Sequence, residues 1–369
     1  MKRLYLFVLL AVVSSILKAQ PLAQRLDSLL SNDPMLRTSE VGITVFDLTT
    51  GESLFQYQDE KLYRPASTEK VVTSATALAT LGLDYTMNTR LQYTGKIEGD
   101  TLKGNLYLIG GFDPEFMDED LDSLVDVIAQ SGIRYIADTL AADVSMMDSV
   151  YWGNGWSWDD VPDSFQPYMS PLMLNRGCVD VTVIPAEKDS LPIIECVPAS
   201  DYYQVDNDGV SNNPQAGNLR ITRNWLHNGN LIHVSGNVSK KTTRTLSIYT
   251  SKDFFFHTFI NRLKEKGIEA NTTAFADCPE NDSLRVVSPL FTLQRPIGEV
   301  LTQMMKESDN LCAESMFYHL ALHHTQQKRV KDNDGSDAIN HFVKESLGLN
   351  PEYYNIVDGS GVSLYNYIS

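Results

Sequence analysis

Arg64-Pro65-Ala66-Ser67-Thr68-Glu69-Lys70-Val71-Val72 carries the strongest local signal in this chain. Pro65 interrupts an extended segment, and an apolar, alanine-rich run follows Lys70, so a helix is predicted to start at or near Ser67. Residues i and i+3 of a helix share a face, which places Lys70 beside Ser67. A serine hydroxyl next to a lysine amine has the arrangement of an activated nucleophile.

This pairing is chemically useful only if the Lys70 amine is neutral. Partial burial of Lys70 would lower its pKa, and the backbone N–H groups at the helix N-terminus would stabilise an oxyanion at Ser67. An isolated Ser-x-x-Lys is also typical of a helix cap with a solvated lysine, and Ser15-Ile16-Leu17-Lys18 has the same spacing.

Ser308-Asp309-Asn310 is the second chemical signal. It lies between a helical run that begins at Pro296-Ile297 and a helix predicted from Leu311 to about His324. Alone, this tripeptide is typical of a turn or a cap. Two such motifs in this order, each at a helix boundary, favour one shared acyl-transfer site.

Three further segments resemble those of one protein family and occur in the same order. They are Leu102-Lys103-Gly104-Asn105-Leu106-Tyr107-Leu108-Ile109-Gly110-Gly111-Phe112-Asp113-Pro114, Gly155-Trp156-Ser157-Trp158-Asp159-Asp160 and Asp358-Gly359-Ser360-Gly361. Together with the two serine motifs, they make the chain similar to the low-molecular-mass class C penicillin-binding proteins, the D-alanyl-D-alanine carboxypeptidase/endopeptidase family. The resemblance covers nearly all of the chain after residue 19.

The resemblance implies a role for each motif residue. Ser67 would attack the carbonyl of the D-Ala-D-Ala bond and form an acyl-enzyme, with Lys70 as general base. Ser308 would relay a proton towards the leaving D-alanine, and Asn310 would hold the substrate backbone and Lys70. Water would then release the acyl group, and β-lactams would trap the same serine. No cofactor and no metal are implied.

The resemblance also implies an α+β fold. A penicillin-binding transpeptidase/β-lactamase-like domain, with helices packed on an antiparallel sheet, would be interrupted by a large insertion between the first two motifs. Residues 20–86 and 287–369 are assigned to that discontinuous domain. Residues 87–286, with many short strand-like runs, are assigned to a β-rich insertion.

Other local patterns predict individual elements. Leu22, Leu26, Leu29 and Leu30 predict a helix, and residues 41–57 predict a β-hairpin around Thr49-Thr50-Gly51. A helix is expected over residues 253–266, ending at Gly267, and a short one up to Leu347.

The third motif of the family, a Lys-Thr-Gly strand after the Ser-x-Asn element, does not occur in the sequence, whose last residue is Ser369. Lys241-Thr242-Thr243 precedes the second motif and cannot replace it. We therefore expect the antiparallel sheet to be only partly present here, and the coding sequence to continue for roughly 80–120 residues with that strand. A natural end at Ser369 would remove half of the oxyanion hole and reduce the rate by roughly 10²–10³.

Residues 1–19 have the pattern of a secretory signal peptide. Lys2 and Arg3 precede an apolar run over residues 4–17, and Ala19 suits cleavage. The run falls short of the roughly 20 residues of a membrane-spanning helix, so export to the periplasm with cleavage is predicted.

The net charge of the chain limits the kinds of molecule that it is expected to bind. The net charge is −17 at pH 7, and loss of the basic signal peptide makes it more negative. Such a surface repels nucleic acid and anionic lipid, so no nucleic acid is expected among the partners. The hydrophobic content of 43% is typical of a folded globular protein.

The segment from Trp156 to Phe165 is a candidate for recognising the residue before D-Ala-D-Ala. In peptidoglycan stem peptides that residue is often a diamino acid, whose ammonium group a carboxylate beside aromatic rings can bind. Asp160 and Phe165 are the candidates, because this segment resembles the side-chain pocket of the family. A tryptophan cluster that packs domains, with solvated aspartates, is the alternative.

The cysteines and histidines suggest no metal centre. The four cysteines lack metal-binding spacing, although Cys178 and Cys196 lie in one region where a disulfide is possible. Cys312 is interpreted as a small buried residue. His319 and His323 share a helical face, but the glutamate of a His-Glu-x-x-His metallopeptidase is absent between them.

The leading hypothesis is therefore a periplasmic serine D,D-carboxypeptidase or endopeptidase. Its substrates would be peptidoglycan stem peptides and its covalent inhibitors β-lactams, while its oligomeric state stays open. The alternative is a catalytically impaired peptidoglycan-binding protein that kept the fold. A β-lactamase is the weaker third option, because the long insertion argues against it.

Overall fold

The computed structural model describes residues 21–280 and 286–369, and it divides into two compact units. Among the described residues, one unit comprises residues 21–63 with Glu352–Tyr354 and Tyr367–Ser369, and the other comprises Arg64–Pro351 with Asn355–Asn366. The predicted signal peptide lies outside the described residues. Within the described ranges, the structure contains no helix that is both long and apolar enough to cross a bilayer.

The first unit contains a helix and a β-hairpin, as the sequence predicts. Helix α1 spans Leu22–Asn32, and strands β1 (Ile43–Asp47) and β2 (Glu52–Tyr57) pair antiparallel. The Asp47 carboxylate accepts a hydrogen bond from the Thr49 N–H at 2.8 Å, which closes the hairpin turn. The predicted helix and hairpin are therefore confirmed.

The second unit is built around a seven-stranded mixed sheet. Its strands are β3 (Thr86–Thr94), β4 (Lys96–Glu98), β5 (Thr101–Lys103), β6 (Leu106–Ile109), β7 (Tyr135–Asp143), β14 (Glu269–Phe275) and β15 (Val287–Pro296). The order is β15-β3-β6-β7-β5-β4, and β14 also pairs with β7. Strand β15 pairs antiparallel with β3, so the large sheet joins residues from both sides of the predicted boundary at residues 286/287. The domain boundaries themselves stay a prediction.

Two smaller sheets accompany the large one. Strands β10 (Gln204–Ser211), β12 (Leu231–Val238) and β11 (Arg220–Arg223) form the first, in that order. Strands β13 (Thr242–Ser247), β8 (Cys178–Ile184) and β9 (Ile193–Val197) form the second. Most strands therefore come from residues 87–286, as expected. The last strands of the chain, β16 (Tyr354–Asn355) and β17 (Tyr367–Ile368), are short.

The helices of the second unit are α2 (Lys70–Thr80), α3 (Asp118–Gln130), α4 (Ser251–Glu265), α5 (Ile297–Lys306), α6 (Asn310–Thr325) and α7 (Asp332–Glu345). Helix α3 was not predicted, since its region is dominated by strand-like runs. Its signal is nevertheless present, because Leu121, Leu124, Val125 and Ile128 have helical spacing and are all buried. The strand-like run over residues 102–108 forms two separate strands, β5 and β6.

Helix α6 is the central helix that positions the candidate site. Every residue from Leu311 to Ala321 is buried, and α6 packs against α2, α5 and α7. A helix that is apolar on all faces has no solvent side, so the sequence places it in the interior. Ser308-Asp309-Asn310 therefore lies at the N-terminus of the most buried helix of this unit.

Candidate active site

Ser67 lies in a short 3₁₀ turn, Ala66–Glu69, that leads directly into α2. Ser67 is exposed, so its hydroxyl group is accessible from solvent. The preceding Ala66 has φ 47°, a left-handed conformation that an alanine rarely adopts. Such strained backbone tends to occur where a reactive side chain must be aimed. The helix is therefore confirmed near the predicted position, with a tighter first turn.

Lys70 is the chemical centre of the site. Its side chain is only 2% exposed, and its Nζ lies 3.0 Å from Ser67 Oγ, 2.6 Å from Asn310 Oδ1 and 2.9 Å from the Ser360 carbonyl oxygen. Burial lowers the pKa of Lys70 below 10.5, although the nearby acids Glu314 and Asp358 oppose that shift. Lys70 is thus predisposed to lose its proton.

The three partners of Lys70 determine where its lone pair points. A lysine ammonium donates three hydrogen bonds, whereas the neutral amine has two N–H groups and one lone pair. The Asn310 and Ser360 carbonyl oxygens can only accept, so they take the two N–H groups. The lone pair then faces the Ser67 hydroxyl, which donates to it. This is the geometry of a general base beside its nucleophile.

The second motif forms the N-terminus of α6. The Asp309 carboxylate caps the helix by accepting from the Cys312 N–H at 2.9 Å, and the Asn310 amide then reaches the site. Asn310 Nδ2 donates to the Phe165 carbonyl oxygen at 2.9 Å, so this side chain bridges Lys70 and the Phe165 loop. Ser308 is exposed and has φ 56°. The structure thus brings Ser67, Lys70 and Asn310 into hydrogen-bonding contact, and Ser308 lies at an exposed position two residues before Asn310.

A tight turn over residues 358–361 closes the other side of Lys70. The Ser360 carbonyl oxygen accepts a hydrogen bond from Lys70 Nζ, and the Gly359 carbonyl oxygen accepts one from Thr73 Oγ1 at 2.7 Å. Gly361 has φ +83°, and a Cβ there would lie 1.9 Å from the Ala66 carbonyl oxygen. Only glycine allows the turn to approach the nucleophile so closely.

The acids around this turn were missed by sequence reasoning. Glu314 is 1% exposed and accepts from the Ser360 N–H at 2.9 Å and from the Gly359 N–H at 3.2 Å. The Asp358 carboxylate accepts from the Gly361 N–H at 2.8 Å and from the Ser363 N–H at 2.6 Å. The available signal for Glu314 was a single acid in an otherwise apolar helical run, which is typical of a buried functional carboxyl.

A cavity of about 470 Å³ adjoins the second motif. Its lining includes Phe165, Arg176, Ser308 and Asn310. Arg176 Nη2 pairs with a Glu115 carboxylate oxygen at 2.7 Å, and Arg176 Nη1 lies 3.3 Å from Asp309. This guanidinium therefore ties the Ser308-Asp309-Asn310 loop to residue 115, a link that the sequence did not reveal.

The residues of the Trp156–Phe165 segment differ in how deeply they are buried. Trp156 is buried, and its indole Nε1 donates to Asp358 at 2.8 Å, which agrees with the packing alternative for that residue. Phe165 is 45% exposed and lines the cavity, whereas Asp160 is half-buried and is not part of the cavity lining. Partial burial and the neighbouring Asp159 raise the pKa of Asp160. The binding roles of Asp160 and Phe165 stay a prediction.

His319 is a buried residue whose imidazole ring has hydrogen-bond partners. His319 Nδ1 lies 2.8 Å from the Tyr85 hydroxyl and its Nε2 lies 3.0 Å from the Gly111 carbonyl, so both ring nitrogens have partners. Burial lowers the pKa of His319 to about 4.

The suggested disulfide is wrong, because Cys178 and Cys196 are both free and Cys196 lies opposite Val181 in the β8–β9 pair.

One group of side chains has the composition of a metal site. Ligand atoms of Glu115, Asp309 and Cys312 lie within 4.8 Å of one another. The guanidinium of Arg176 already pairs with both carboxylates. Burial raises the pKa of Cys312, which disfavours the thiolate that metals bind. This cluster is therefore explained as an ion-pair network.

Comparison with known proteins identifies the relatives of this chain. The sequence model of the D-Ala-D-Ala carboxypeptidase 3 (S13) family matches residues 22–369. The D-alanyl-D-alanine carboxypeptidase of Actinomadura sp. (strain R39) is 26% identical over 362 residues, covering 94% of this chain and 65% of that protein. The D-alanyl-D-alanine carboxypeptidase DacB of Haemophilus influenzae is 25% identical over 339 residues, covering 90% of this chain and 69% of that protein. The chain thus spans about two thirds of the length of these relatives.

A solved structure shares the fold. The crystal structure of penicillin binding protein 4 (dacB) from Haemophilus influenzae matches with a TM-score of 0.75 at 24% sequence identity, over 89% of this chain and 72% of that chain. This likeness confirms the α+β penicillin-binding fold that the sequence predicts.

Proposed function

Because the chain belongs to the D-Ala-D-Ala carboxypeptidase 3 (S13) family, we propose that it is a serine-type D-alanyl-D-alanine carboxypeptidase/endopeptidase that acts on peptidoglycan stem peptides. The observation that carries the proposal is the position of Lys70. Its buried amine lies 3.0 Å from Ser67 Oγ, and two carbonyl oxygens occupy its N–H groups.

The proposed acylation half-reaction uses these groups directly. Lys70 takes the proton of the Ser67 hydroxyl while Ser67 Oγ bonds to the carbonyl carbon of the D-Ala-D-Ala peptide. The C–N bond then breaks, and the proton that Lys70 took passes through exposed Ser308 to the leaving D-alanine amine, so that Lys70 is neutral again. The product is an ester between Ser67 and the remaining stem peptide.

Deacylation reverses the roles. Water replaces the departed D-alanine, Lys70 takes a proton from it, and the resulting hydroxide attacks the ester carbonyl. Ser67 Oγ leaves and recovers its proton from Lys70. In an endopeptidase reaction, the leaving amine belongs to the side chain of a neighbouring stem peptide instead of free D-alanine. A β-lactam would acylate Ser67 through the same first step.

Substrate recognition is proposed for the Trp156–Phe165 segment. Phe165 lines the cavity beside Asn310, and Asp160 supplies a carboxylate on the same segment. A partly solvated carboxylate near aromatic rings suits the ammonium of a diamino acid in the stem peptide. We also propose that the protein acts in the periplasm after cleavage of residues 1–19, since that is where its substrate lies.

A labelled penicillin tests the proposed function. The full-length protein should form a covalent adduct, and the adduct should map to the peptide that contains Ser67. The Ser67→Ala variant should keep its thermal transition and form no adduct. Ser74→Ala, a control at a half-buried position on α2 whose hydroxyl donates to the Val71 carbonyl oxygen, should label normally. A folded wild-type protein without an adduct would instead support the alternative, a peptidoglycan-binding protein without turnover.

A further inference from the structure

Two residues of the 358–361 turn, Gly359 and Ser360, are held between two helices. The carbonyl oxygens of Gly359 and Ser360 face α2, where they accept from Thr73 Oγ1 at 2.7 Å and from Lys70 Nζ at 2.9 Å. The N–H groups of the same two residues face α6, where both donate to Glu314 Oε1 at 3.2 and 2.9 Å. The turn is thereby fixed from both sides.

Close packing makes this arrangement rigid. A Cβ at Gly359 would lie 2.5 Å from the Ala313 carbonyl oxygen of α6. Thr73 and Glu314 are 0% and 1% exposed, so water does not compete for their hydrogen bonds. If Glu314 lost its acceptor oxygen, the two N–H groups would be left unpaired in the interior, and the turn would have to move to satisfy them.

We propose that Glu314 is a positioning residue for the acyl-transfer reaction. It holds the Gly359-Ser360 peptide so that the Ser360 carbonyl receives one N–H of Lys70, and this keeps the Lys70 lone pair directed at Ser67. The inference rests on the proposed function of the site. Glu314 touches neither substrate nor the reacting atoms, and it acts through the turn.

The protonation state of Glu314 does not alter this role. Burial and the neighbouring Asp358 raise the pKa of Glu314 to about 8. A neutral carboxyl still has a carbonyl oxygen, which can accept both N–H groups as Oε1 does here. A glutamine has the same acceptor, whereas a methionine of similar length has none. These two substitutions therefore separate the hydrogen-bonding role from simple volume.

The experiment measures the two constants of penicillin acylation, the non-covalent dissociation constant and the rate of covalent attachment to Ser67. Glu314→Gln is expected to acylate within about threefold of wild type. Glu314→Met is expected to slow covalent attachment by about 10- to 100-fold, because a small displacement of a catalytic group has an effect of that size. The non-covalent constant should stay unchanged in both, since Glu314 does not contact the ligand.

A second pair of variants guards against misfolding. Thr73→Val removes the hydroxyl that donates to Gly359 and keeps the volume, and Thr73→Ser restores the hydroxyl. If Glu314→Met shows no cooperative thermal transition, Thr73→Val decides, with an expected loss of about threefold to tenfold in covalent attachment and recovery in Thr73→Ser.

The inference and the proposed function fail in different ways. Absence of acylation in the wild-type protein contradicts the proposed function. Wild-type acylation rates in the folded methionine or valine variant would overturn the role of Glu314. So would an equal loss in Glu314→Gln and Glu314→Met, or a loss confined to the non-covalent constant.

Discussion

The surroundings of Lys70 and the Trp156–Phe165 segment are built in opposite ways. Around Lys70, two carbonyl oxygens and one hydroxyl oxygen lie within hydrogen-bonding distance of a 2% exposed amine. On the segment, Asp160 is half-buried beside other acids and Phe165 is 45% exposed. The first region is preorganised for proton transfer, whereas the second is open to a ligand. Substitutions in the first should affect acylation rates, and substitutions in the second should affect substrate binding.

The largest effect is expected from Lys70→Met, which removes the amine and preserves most of the volume. Loss of a general base should slow acylation of Ser67 by about 10³-fold. Stopped-flow measurement with a chromogenic β-lactam gives this rate. Lys344→Met, at an exposed position on α7, is the control and should acylate normally. A Lys70→Met protein that acylates within tenfold of wild type would show that another group is the base.

Asn310→Leu should have the next largest effect. The variant removes the oxygen that accepts from Lys70 and the amide that donates to the Phe165 carbonyl, with little change in volume. One preorganised polar contact of this kind contributes about 10²-fold to a rate. The same stopped-flow assay, combined with KM for a D-Ala-D-Ala peptide, should show losses in both acylation and binding. A loss in binding alone would contradict the link between Asn310 and Lys70.

Glu69→Met should stabilise the protein at alkaline pH. Glu69 is fully buried, and among the described residues neither of its carboxyl oxygens has a hydrogen-bond partner. Burial, with Asp358 and Glu314, raises the pKa of Glu69 from 4.5 to about 10. A carboxyl with a raised folded pKa contributes stability that is fully present below about pH 4.5 and is lost as the pH rises towards 10.

The Glu69→Met variant has no carboxyl at this position, so it lacks this loss of stability as the pH rises. At pH 8 its free energy of unfolding should exceed that of wild type by roughly 1–3 kcal/mol, and the difference should shrink towards pH 4.5. Urea unfolding at several pH values measures this difference. A pH-independent difference, or a less stable variant at pH 8, would show that Glu69 has a compensating partner.

The smallest effect is expected from Asp160→Asn. The carboxylate is partly solvated, so its pairing with a substrate ammonium should contribute about 1 kcal/mol, or about fivefold in KM. A stem peptide with a diamino acid should show this increase, and a peptide with an uncharged residue at that position should not. Asp159→Asn on the same segment is the control. An equal KM change for both peptides would favour the packing alternative for this segment.

Part of the site could be predicted because its geometry is local. Ser67 and Lys70 are three residues apart at a helix start, so helical periodicity places them side by side. The approach of Asn310 to Lys70 was implied by the family resemblance instead. Glu314 and Thr73 could not be assigned, because their partners lie in a turn far along the chain. Their role depends on tertiary packing, which no local pattern encodes.

The sequence predicts the fold, like the candidate site, only in part. Helix α5 and the first hairpin follow from clear periodicity and turn residues, and helix α6 follows from its long, mostly apolar run. Helix α3 was missed because a strand-rich neighbourhood concealed its four apolar positions. The suggested pairing of Cys178 and Cys196 failed because proximity in sequence says little about register across a sheet.

The pH dependence of Ser67 acylation tests the central claim most directly, namely that Lys70 acts as a neutral base. The acylation rate of the full-length protein should rise with pH and reach a plateau at a pKa below the ordinary 10.5 of lysine, because burial lowers the pKa of Lys70. Acylation that still rises about tenfold for each pH unit at pH 10 would contradict the account.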